Sequence, residues 1–367
     1  MKKFPKNFYW GTATSAYQVE GGIKNDWSEA GKKYDAGKAC DHYNRFEQDF
    51  DLAKKMNNNA HRFSIEWARI EPEQGKFNQK EIEHYKKVVK ALKDRGLEPF
   101  VTLYHWTLPV WFAKKGGWLN KKSPEYFAKY IEFVVRNLKG VKFWITINEP
   151  DIFIPHSFLI GKFPPFKKNW FKTQKVLAQL FSAHKKSYQI IHKISSNNQA
   201  GIAKNSIFFS GILSFINYRR NLWFLDKIKD YQDFIGVNYY IRQSLSGILK
   251  FRHMEVSDLG WEIYPKGIYH VLKDLKRYKK PIYITENGLA DAKDKKRAKF
   301  ITNHLFWIRK AIKQGIDVKG YFHWSLLDNF EWDKGFKPRF GLIEIDYKTL
   351  KRKPRPSSKV YAKICGG

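Results

Sequence analysis

The sequence predicts a single (β/α)8 barrel, or TIM barrel, formed by residues 1–367 as one domain. Short apolar, β-branched or aromatic runs alternate with longer amphipathic, Lys-rich stretches, which is the pattern of repeated βα units around a parallel sheet. Eight such runs occur, and no linker or low-complexity tract interrupts them. Hydrophobic residues make up 43% of the chain and aromatic residues 17%, which excludes a disordered protein and is sufficient for a large core.

The eight predicted strands are the runs richest in residues that favour extended backbone. Their lengths, roughly 6 to 10 residues, fit strands better than helices. Because the active site of such a barrel lies at the carboxyl ends of its strands, reactive residues are expected there. The strands are Phe8–Thr14, Ala60–Trp67, Glu98–His105, Lys142–Glu149, Ala200–Phe209, Asp233–Tyr240, Pro281–Glu286 and Val318–Ser325.

Three of the intervening helices have clear sequence signals. Ile82–Asp94 carries apolar residues on one face at helical spacing, and Gly96 follows as a stop. Ser123–Asn137 opens with Ser followed by Pro, which predicts that Ser123 is the N-cap. Lys295–Gln314 is a third long helix and ends before Gly315.

Two carboxylates follow apolar strands directly, as the barrel predicts for reactive residues. Glu149 ends strand four after Ile-Thr-Ile-Asn, and Glu286 ends strand seven after Ile-Thr. A lone Glu there is more often a structural ion-pair partner, but two of them at one barrel mouth can face a common pocket. Paired carboxylates suit glycoside hydrolysis, in which one protonates the leaving oxygen and the other attacks the anomeric carbon.

Seven longer segments add a further signal. They are Phe8–Gly21, Arg62–Trp67, Tyr104–Trp106, Asn148–Pro150, Asn238–Tyr240, Thr285–Gly288 and Trp324–Trp332. In content and order they resemble glycoside hydrolase family 1, the retaining β-glucosidase and β-galactosidase family of (β/α)8 barrels. Any one segment is a modest signal, but together they are strong. The resemblance implies a retaining β-glycosidase that acts by double displacement through a covalent glycosyl-enzyme.

The resemblance implies catalytic roles for five residues. Glu149 matches the general acid/base, and Glu286 matches the nucleophile. Asn148 matches the residue that hydrogen-bonds the sugar 2-OH. Arg62 and Tyr240 match the pair that contacts the nucleophile, and Arg62, which stays cationic, can hold Glu286 ionised.

The resemblance also implies substrate-binding positions. Trp324 matches the aromatic platform beneath the sugar ring, whereas Asn238 and Phe340 match less direct lining positions. The contacts to the glycon hydroxyls are matched by Gln18, His105, Glu331 and Trp332. No cofactor is implied, and the histidines show no metal-ligand spacing. Five other tryptophans are predicted to serve packing, namely Trp10, Trp106, Trp111, Trp118 and Trp144.

The chain is short for the family, and the connections after strands five to seven are predicted to be trimmed. Only about Ser210–Gln232 join strand five to strand six. We expect a more open, less selective aglycone entrance. The trimmed face either exposes apolar surface for self-association or a hydrophobic ligand, or refolds as a compact cap. The aromatic residues concerned are Phe208, Phe209, Phe215, Tyr218, Trp223 and Phe224.

The substrate class follows from three positions. Members acting on 6-phosphoglycosides carry Ser, Lys and Tyr where this chain has Glu331, Pro338 and Phe340. Glu331 would repel a phosphate, so a neutral glucoside, galactoside or fucoside is expected. Two alternatives stay open: a transglycosylase, in which an acceptor sugar replaces water, and a carbohydrate- or polyanion-binding protein with weak residual catalysis.

The net charge of +33 invites a nucleic-acid interpretation. Only 15 of the 68 basic residues are Arg, however, and the Lys residues are spread along most predicted helices. A solvated, Lys-rich surface explains this distribution better than a specific nucleic-acid site, for which Arg is better suited. No specific nucleic-acid partner is therefore expected.

The location is predicted from features that the sequence lacks. The N-terminus shows no apolar segment typical of a signal peptide, and no apolar stretch is long enough to cross a bilayer. Cys40 and Cys365 are the only cysteines, which excludes a disulfide scaffold. A cytoplasmic protein without membrane contact is expected.

Overall fold

A computed structural model of the protein describes residues 4–245 and 254–367. Within them, eight parallel strands form a closed barrel in the order β1 to β8, and β8 pairs with β1. The predicted (β/α)8 barrel is therefore confirmed. The strands are β1 (Tyr9–Ala13), β2 (Ala60–Ser64), β3 (Glu98–Thr102), β4 (Phe143–Asn148), β5 (Gln199–Phe209), β6 (Phe234–Gln243), β7 (Ile282–Asn287) and β8 (Val318–Trp324).

Twelve α-helices lie outside the barrel or over its ends in the described part of the chain. They are α1 (Ala16–Val19), α2 (His42–Lys55), α3 (Trp67–Ile70), α4 (Gln79–Asp94), α5 (Val110–Lys114), α6 (Ser123–Asn137), α7 (Pro150–Phe158), α8 (Trp170–Ile194), α9 (Trp223–Ile228), α10 (Lys266–Leu275), α11 (Arg297–Lys313) and α12 (Pro356–Gly366). A short antiparallel pair, β9 (Ile343–Ile345) and β10 (Arg352–Pro354), leads into α12.

Several predicted boundaries are wrong by one to three residues. β2 stops at Ser64 because the Glu66 side chain accepts a hydrogen bond from the Ala68 amide and starts α3 at Trp67. The predicted N-cap of α6 is also wrong, since Ser123 is the first helical residue. Its hydroxyl donates to the carbonyls of Gly117 and Asn120 instead of accepting from the helix.

The lower half of the barrel is filled by aromatic rings. Phe100, Phe143, Phe234, Tyr283 and Phe322 form part of one buried cluster, in which the Phe100 and Phe143 rings stack with centroids 4.2 Å apart. Side chains on one face of a strand recur every second residue. The inward positions after Ala60, Phe100 and Phe322 are therefore Arg62, Thr102 and Trp324, so the polar mouth rests on an apolar floor.

The trimmed connection after β5 folds mostly as a compact cap. It consists of a 3-10 helix (Gly211–Ile216), a π-helical turn (Tyr218–Leu222), α9 and a second 3-10 helix (Lys229–Tyr231). Of the two alternatives, the compact cap holds for Phe209 and Phe224, because both are buried; Phe224 packs on Phe181 with ring centroids 4.5 Å apart. Phe208 and Trp223 are half-buried, while Phe215 and Tyr218 remain exposed.

Candidate active site

A pocket of about 420 Å³ opens at the carboxyl ends of the barrel strands. Ten of the twelve predicted site residues line it: Gln18, His105, Asn148, Glu149, Tyr240, Glu286, Trp324, Glu331, Trp332 and Phe340. The other two, Arg62 and Asn238, are buried and hydrogen-bond residues that line the pocket. The strand ends thus bring together residues from across the sequence, as the barrel topology predicts.

Glu286 is held by a cation on one side and a phenol on the other. Arg62 Nη1 lies 2.5 Å from Glu286 Oε1, and the Tyr240 hydroxyl donates to Oε2 at 2.6 Å. Burial and the charge of Glu286 raise the pKa of Tyr240 well above its usual value, so the phenol keeps its proton. Both contacts stabilise the ionised form of the Glu286 carboxylate, as attack on carbon requires.

Glu149 follows β4, three strands away from Glu286 in the barrel, and lies in a different environment. It adopts a left-handed backbone conformation (φ 43°) before Pro150, the first residue of α7. Asn238 Nδ2 and Asn205 Nδ2 donate to its Oε1 at 2.8 and 3.0 Å. Burial, followed by the charge of Glu286, raises the pKa of Glu149 to about 8. Glu149 therefore carries a proton at neutral pH, as a general acid must.

The floor around the reacting carboxylates is a connected network of neutral and cationic donors. Arg62 Nη2 donates to Asn148 Oδ1 at 2.7 Å, and Asn148 Nδ2 lies 3.2 Å from His105 Nε2. Burial and the charge of Arg62 hold the pKa of His105 well below its usual value. The neutral ring therefore accepts at Nε2 and carries its proton on Nδ1. That Nδ1 is buried without a partner among the described residues and can bond a ligand.

One wall combines aromatic faces with polar groups. Trp324 and Trp332 are each 4% exposed, and both rings lie nearly parallel to the His105 ring at centroid distances of 6.0 Å. Gln18 is fixed by Nε2 donation to the Phe330 carbonyl at 2.8 Å. These contacts hold flat surfaces and amide groups in place for a ring-shaped, hydroxyl-rich ligand.

Glu331 contributes a third carboxyl group to the pocket. Its Oε2 is buried without a hydrogen-bond partner among the described residues. Burial, followed by the charges of Glu286 and Glu149, raises the pKa of Glu331 to about 8. A buried polar atom without a partner is costly, so this oxygen is available to a ligand hydroxyl.

Gly288 explains why the motif after Glu286 requires a glycine. A Cβ built on Gly288 would lie 1.7 Å from the carbonyl oxygen of Trp324. The chain after β7 therefore passes the end of β8 at a distance that no side chain permits. This close approach helps to place Glu286 and Trp324 in the same pocket.

The outer part of the pocket combines apolar residues with polar and charged ones, and sequence reasoning missed most of it. The missed polar lining residues include His156, Lys162, Ser206, Asp333 and Lys334. Phe340 contacts Tyr240 and Trp261 edge-on or tilted, at centroid distances of 6.4 and 6.2 Å. β5 and β6 pair as far as Phe209 and Gln243, which carries their ends above the rest of the barrel mouth. The missed apolar lining residues include Ile152, Phe163, Ile207, Ile241, Leu259 and Trp261.

Two further residues were missed for identifiable reasons. Trp106, which was predicted to serve packing alone, also lines the pocket, and its Nε1 donates to the Asn148 carbonyl at 3.0 Å. Asn205 donates to Glu149 from strand β5. Its only sequence signal is a polar residue near the end of an apolar strand, which is the signal that identified Glu149 and Glu286.

The described residues show two further absences. No group of three or more His, Cys, Asp or Glu side chains in residues 4–245 and 254–367 could hold a metal ion. No helix in the same part of the chain has the length and apolar character needed to cross a membrane.

Comparisons with known proteins agree with the site. The family described as Glycosyl hydrolase family 1 matches residues 1–209 and 224–366. The 1,4-beta-D-glucan glucohydrolase of Thermotoga neapolitana is 33% identical over 439 residues, covering 99% of this chain and 98% of that protein. The 6-phospho-beta-galactosidase of Staphylococcus epidermidis is 31% identical, covering 99% of this chain and 98% of that protein.

Among solved structures, the beta-glycosidase from Pyrococcus horikoshii matches with a TM-score of 0.90 and 40% identity, over 99% of this chain and 95% of that chain. The alignment with the Thermotoga protein extends over 439 positions, whereas this chain has 367 residues, so it is a compact relative. The unmatched residues 210–223 fall in the trimmed connection after β5. The chain belongs to glycosyl hydrolase family 1 and is an O-glycosyl hydrolase similar to beta-glucosidases.

Proposed function

We propose that the protein is a retaining β-glycosidase that hydrolyses β-linked glycosides of neutral sugars through a covalent glycosyl-enzyme. The observation that carries this proposal is the unequal environment of the two carboxyl groups. Glu286 accepts from Arg62 and Tyr240, whereas burial raises the pKa of Glu149 to about 8. One group is thus prepared to attack the anomeric carbon and the other to protonate the leaving oxygen.

In the first step, Glu286 bonds to the anomeric carbon while Glu149 gives its proton to the departing oxygen. In the second step, the ionised Glu149 takes a proton from water, which attacks the same carbon and releases Glu286. We assign Asn148 to the sugar 2-OH, and the contacts of its amide with Arg62 and His105 at the pocket floor support this assignment. No cofactor enters either step.

A neutral glycon is proposed because of Glu331. Its buried, unpartnered oxygen suits a sugar hydroxyl, while a phosphate dianion beside it would add to the negative charge that Glu286 already contributes there. One relative in the family is named a 6-phospho-beta-galactosidase, so the two substrate classes need a direct comparison. We expect turnover of p-nitrophenyl β-glucoside and no measurable turnover of its 6-phosphate. Preferential turnover of the 6-phosphate would contradict this part of the proposal.

The aglycone side is proposed to be open and weakly selective. Apolar residues such as Ile207, Ile241 and Trp261 line much of this side and offer contact area rather than directed hydrogen bonds. The charged residues Lys162, Asp333 and Lys334 line the same pocket. Rates with aryl glycosides and with disaccharides should therefore differ mainly according to leaving-group acidity. Strong preference for one aglycone over others of equal acidity would contradict this expectation.

A panel of nitrophenyl β-glycosides assayed with the wild-type protein, Glu149→Ala and Glu286→Ala tests the function. Wild-type turnover is expected, and each variant should lose activity on the order of 10²-fold or more. Azide should restore activity to Glu286→Ala and yield a glycosyl azide of inverted configuration. An inactive wild type, or azide rescue without inversion, would overturn the proposal.

The two unpaired cysteines also favour the cytoplasm as the location.

A further inference from the structure

Arg220 lies behind the acid/base residue, in the span 210–223 that the family match skips. Its Nη2 donates to Asn205 Oδ1 at 3.1 Å, and its Nη1 forms an ion pair with Asp151. Asn205 in turn donates to Glu149 Oε1 at 3.0 Å. A residue from the compact connection thus reaches the acid/base residue through one intervening amide.

The backbone and the side chain of Arg220 are both fixed. Lys204, which is 1% exposed, donates to the Arg220 carbonyl at 2.9 Å and to Asp151 Oδ2 at 2.9 Å. The neighbouring Asn221 bonds both the amide and the carbonyl of Ile207 on β5, at 3.1 and 2.7 Å. The backbone of the π-helical turn is therefore anchored to β5, and the ion pair with Asp151 holds the guanidinium beside Asn205.

These contacts fix which way the Asn205 amide points. Its oxygen accepts from Arg220, so its Nδ2 must face Glu149. Asn238 is fixed in the same sense, because Thr285 Oγ1 donates to its Oδ1 at 2.6 Å and its Nδ2 faces Glu149. With two donors on Glu149 Oε1, that oxygen acts as the acceptor and the proton of neutral Glu149 resides on Oε2.

A flipped Asn205 would place two donors together at Arg220 and two acceptors together at Glu149. The acid proton could then move to Oε1, away from a leaving group at Oε2. We propose that Arg220 is a positioning residue that locks the Asn205 amide and so keeps the acid proton on Glu149 Oε2. This inference rests on the proposed function, because it assumes that Glu149 is the general acid.

Removing Arg220 should also change the ionisation of Glu149. The charged and titratable groups that face Glu149 are Glu286, Glu331, Asp151, Lys204 and Tyr240, with Arg220 and Arg62 one contact further away. Loss of the guanidinium removes a positive charge and releases the Asn205 donor. Both changes disfavour the carboxylate, so the pKa of Glu149 should rise and the alkaline limb of kcat/KM should move to higher pH.

The test compares Arg220→Met with Arg219→Met, its exposed neighbour in the same turn. In Arg220→Met, kcat/KM for cellobiose, a poor leaving group, should fall on the order of 10-fold to 100-fold. For 2,4-dinitrophenyl β-glucoside, which needs no acid, it should change by less than about twofold. Arg220→Lys keeps the charge and should hold the alkaline limb near its wild-type position, and Arg219→Met should match wild type throughout.

A double variant shows whether Arg220 acts through Asn205. In an Asn205→Ala background, Arg220→Met should add less than about a further twofold loss with cellobiose. Equal losses on both substrates, or full additivity with Asn205→Ala, would overturn the inference and leave Arg220 a structural role. If Glu149→Ala itself showed no dependence on leaving-group acidity, the proposed function would fail instead, which separates the two outcomes.

Discussion

Glu286 accepts hydrogen bonds from a cation and a phenol, whereas Glu149 accepts them from two neutral amides. Burial, followed by the charge of Glu286, raises the pKa of Glu149, and the two amide donors offset only part of that rise. A third carboxyl group, Glu331, has a pKa raised in the same direction as that of Glu149. The pH dependence of the enzyme must therefore be assigned with variants of both residues.

The alkaline limb of kcat/KM should lie near pH 8, because the pKa of Glu149 is raised to about 8 and the acid must keep its proton. As pH rises through that value the proton is lost and turnover of poor leaving groups falls. Rates with 4-nitrophenyl β-glucoside across pH 5 to 10, a range that extends about two units to the alkaline side of that pKa, measure the limb.

Glu331→Gln is the matched control for that assignment. It removes the other carboxyl group whose pKa is raised to about 8, so the limb should remain if it belongs to Glu149. The limb should also move to lower pH, because the loss of the negative charge of Glu331 lowers the pKa of Glu149. In Glu149→Ala with 2,4-dinitrophenyl β-glucoside the limb should be absent. If the limb disappears in Glu331→Gln and survives in Glu149→Ala, it reports the ionisation of Glu331, which contradicts the assignment to Glu149.

At the scale of elements, the first turn of α7, strand β5 and the π-helical turn share one ionic cluster. Asp151, directly after Glu149 and Pro150, pairs with both Lys204 on β5 and Arg220 on the turn. Burial lowers the pKa of Lys204 to about 8, which shows how much the ammonium depends on its carboxylate partner. The compact connection is therefore attached to the site by charge as well as by apolar packing.

Asp151→Ala should destabilise the protein by about 3–5 kcal/mol, because it leaves buried cations without their counter-ion. Asp230→Ala, an exposed residue in the same connection, should change stability by less than about 0.5 kcal/mol. Urea unfolding of the two variants and wild type gives both values. Equal stability of Asp151→Ala and wild type would show that the cluster does not hold the connection in place.

Glu149 and Glu286 could be predicted because each follows directly on an apolar run, whereas the other ten site residues were identified from the resemblance to family 1. Asn205 also lies near the end of an apolar strand, but its amide, unlike a carboxylate, does not by itself indicate acid–base chemistry. Arg220 could not be predicted, because its role depends on a π-helical turn folding back onto β5. The burial of Phe224 against Phe181 was missed for the same reason, since it depends on contacts between distant segments.

Over the whole molecule, the net charge of +33 has little part in the site. Among the twelve predicted site residues Arg62 is the one cation, and it is buried against Glu286. Apart from the buried Lys204, the Lys side chains of the described residues lie mainly on the solvated surface. We also propose that residues 1–367 form one domain, since the barrel strands come from the full length of the chain.

A polyanion-binding role would require more than diffuse charge. We expect weak binding to duplex DNA that is equal for unrelated sequences and is lost between about 50 and 200 mM salt. Fluorescence anisotropy with two labelled duplexes measures it, and glycosidase activity with and without DNA serves as the control. Tight binding to one sequence at physiological salt would give the charge a function that the site does not explain.

The stereochemistry of hydrolysis tests the central claim most directly. Proton NMR of wild-type enzyme with p-nitrophenyl β-glucoside, recorded before mutarotation, identifies the anomer that is released first. Double displacement through Glu286 inverts the anomeric carbon twice, so β-glucose should appear first and α-glucose should follow only by mutarotation. Initial release of α-glucose would show a single displacement by water and would contradict the assignment of Glu286 as nucleophile.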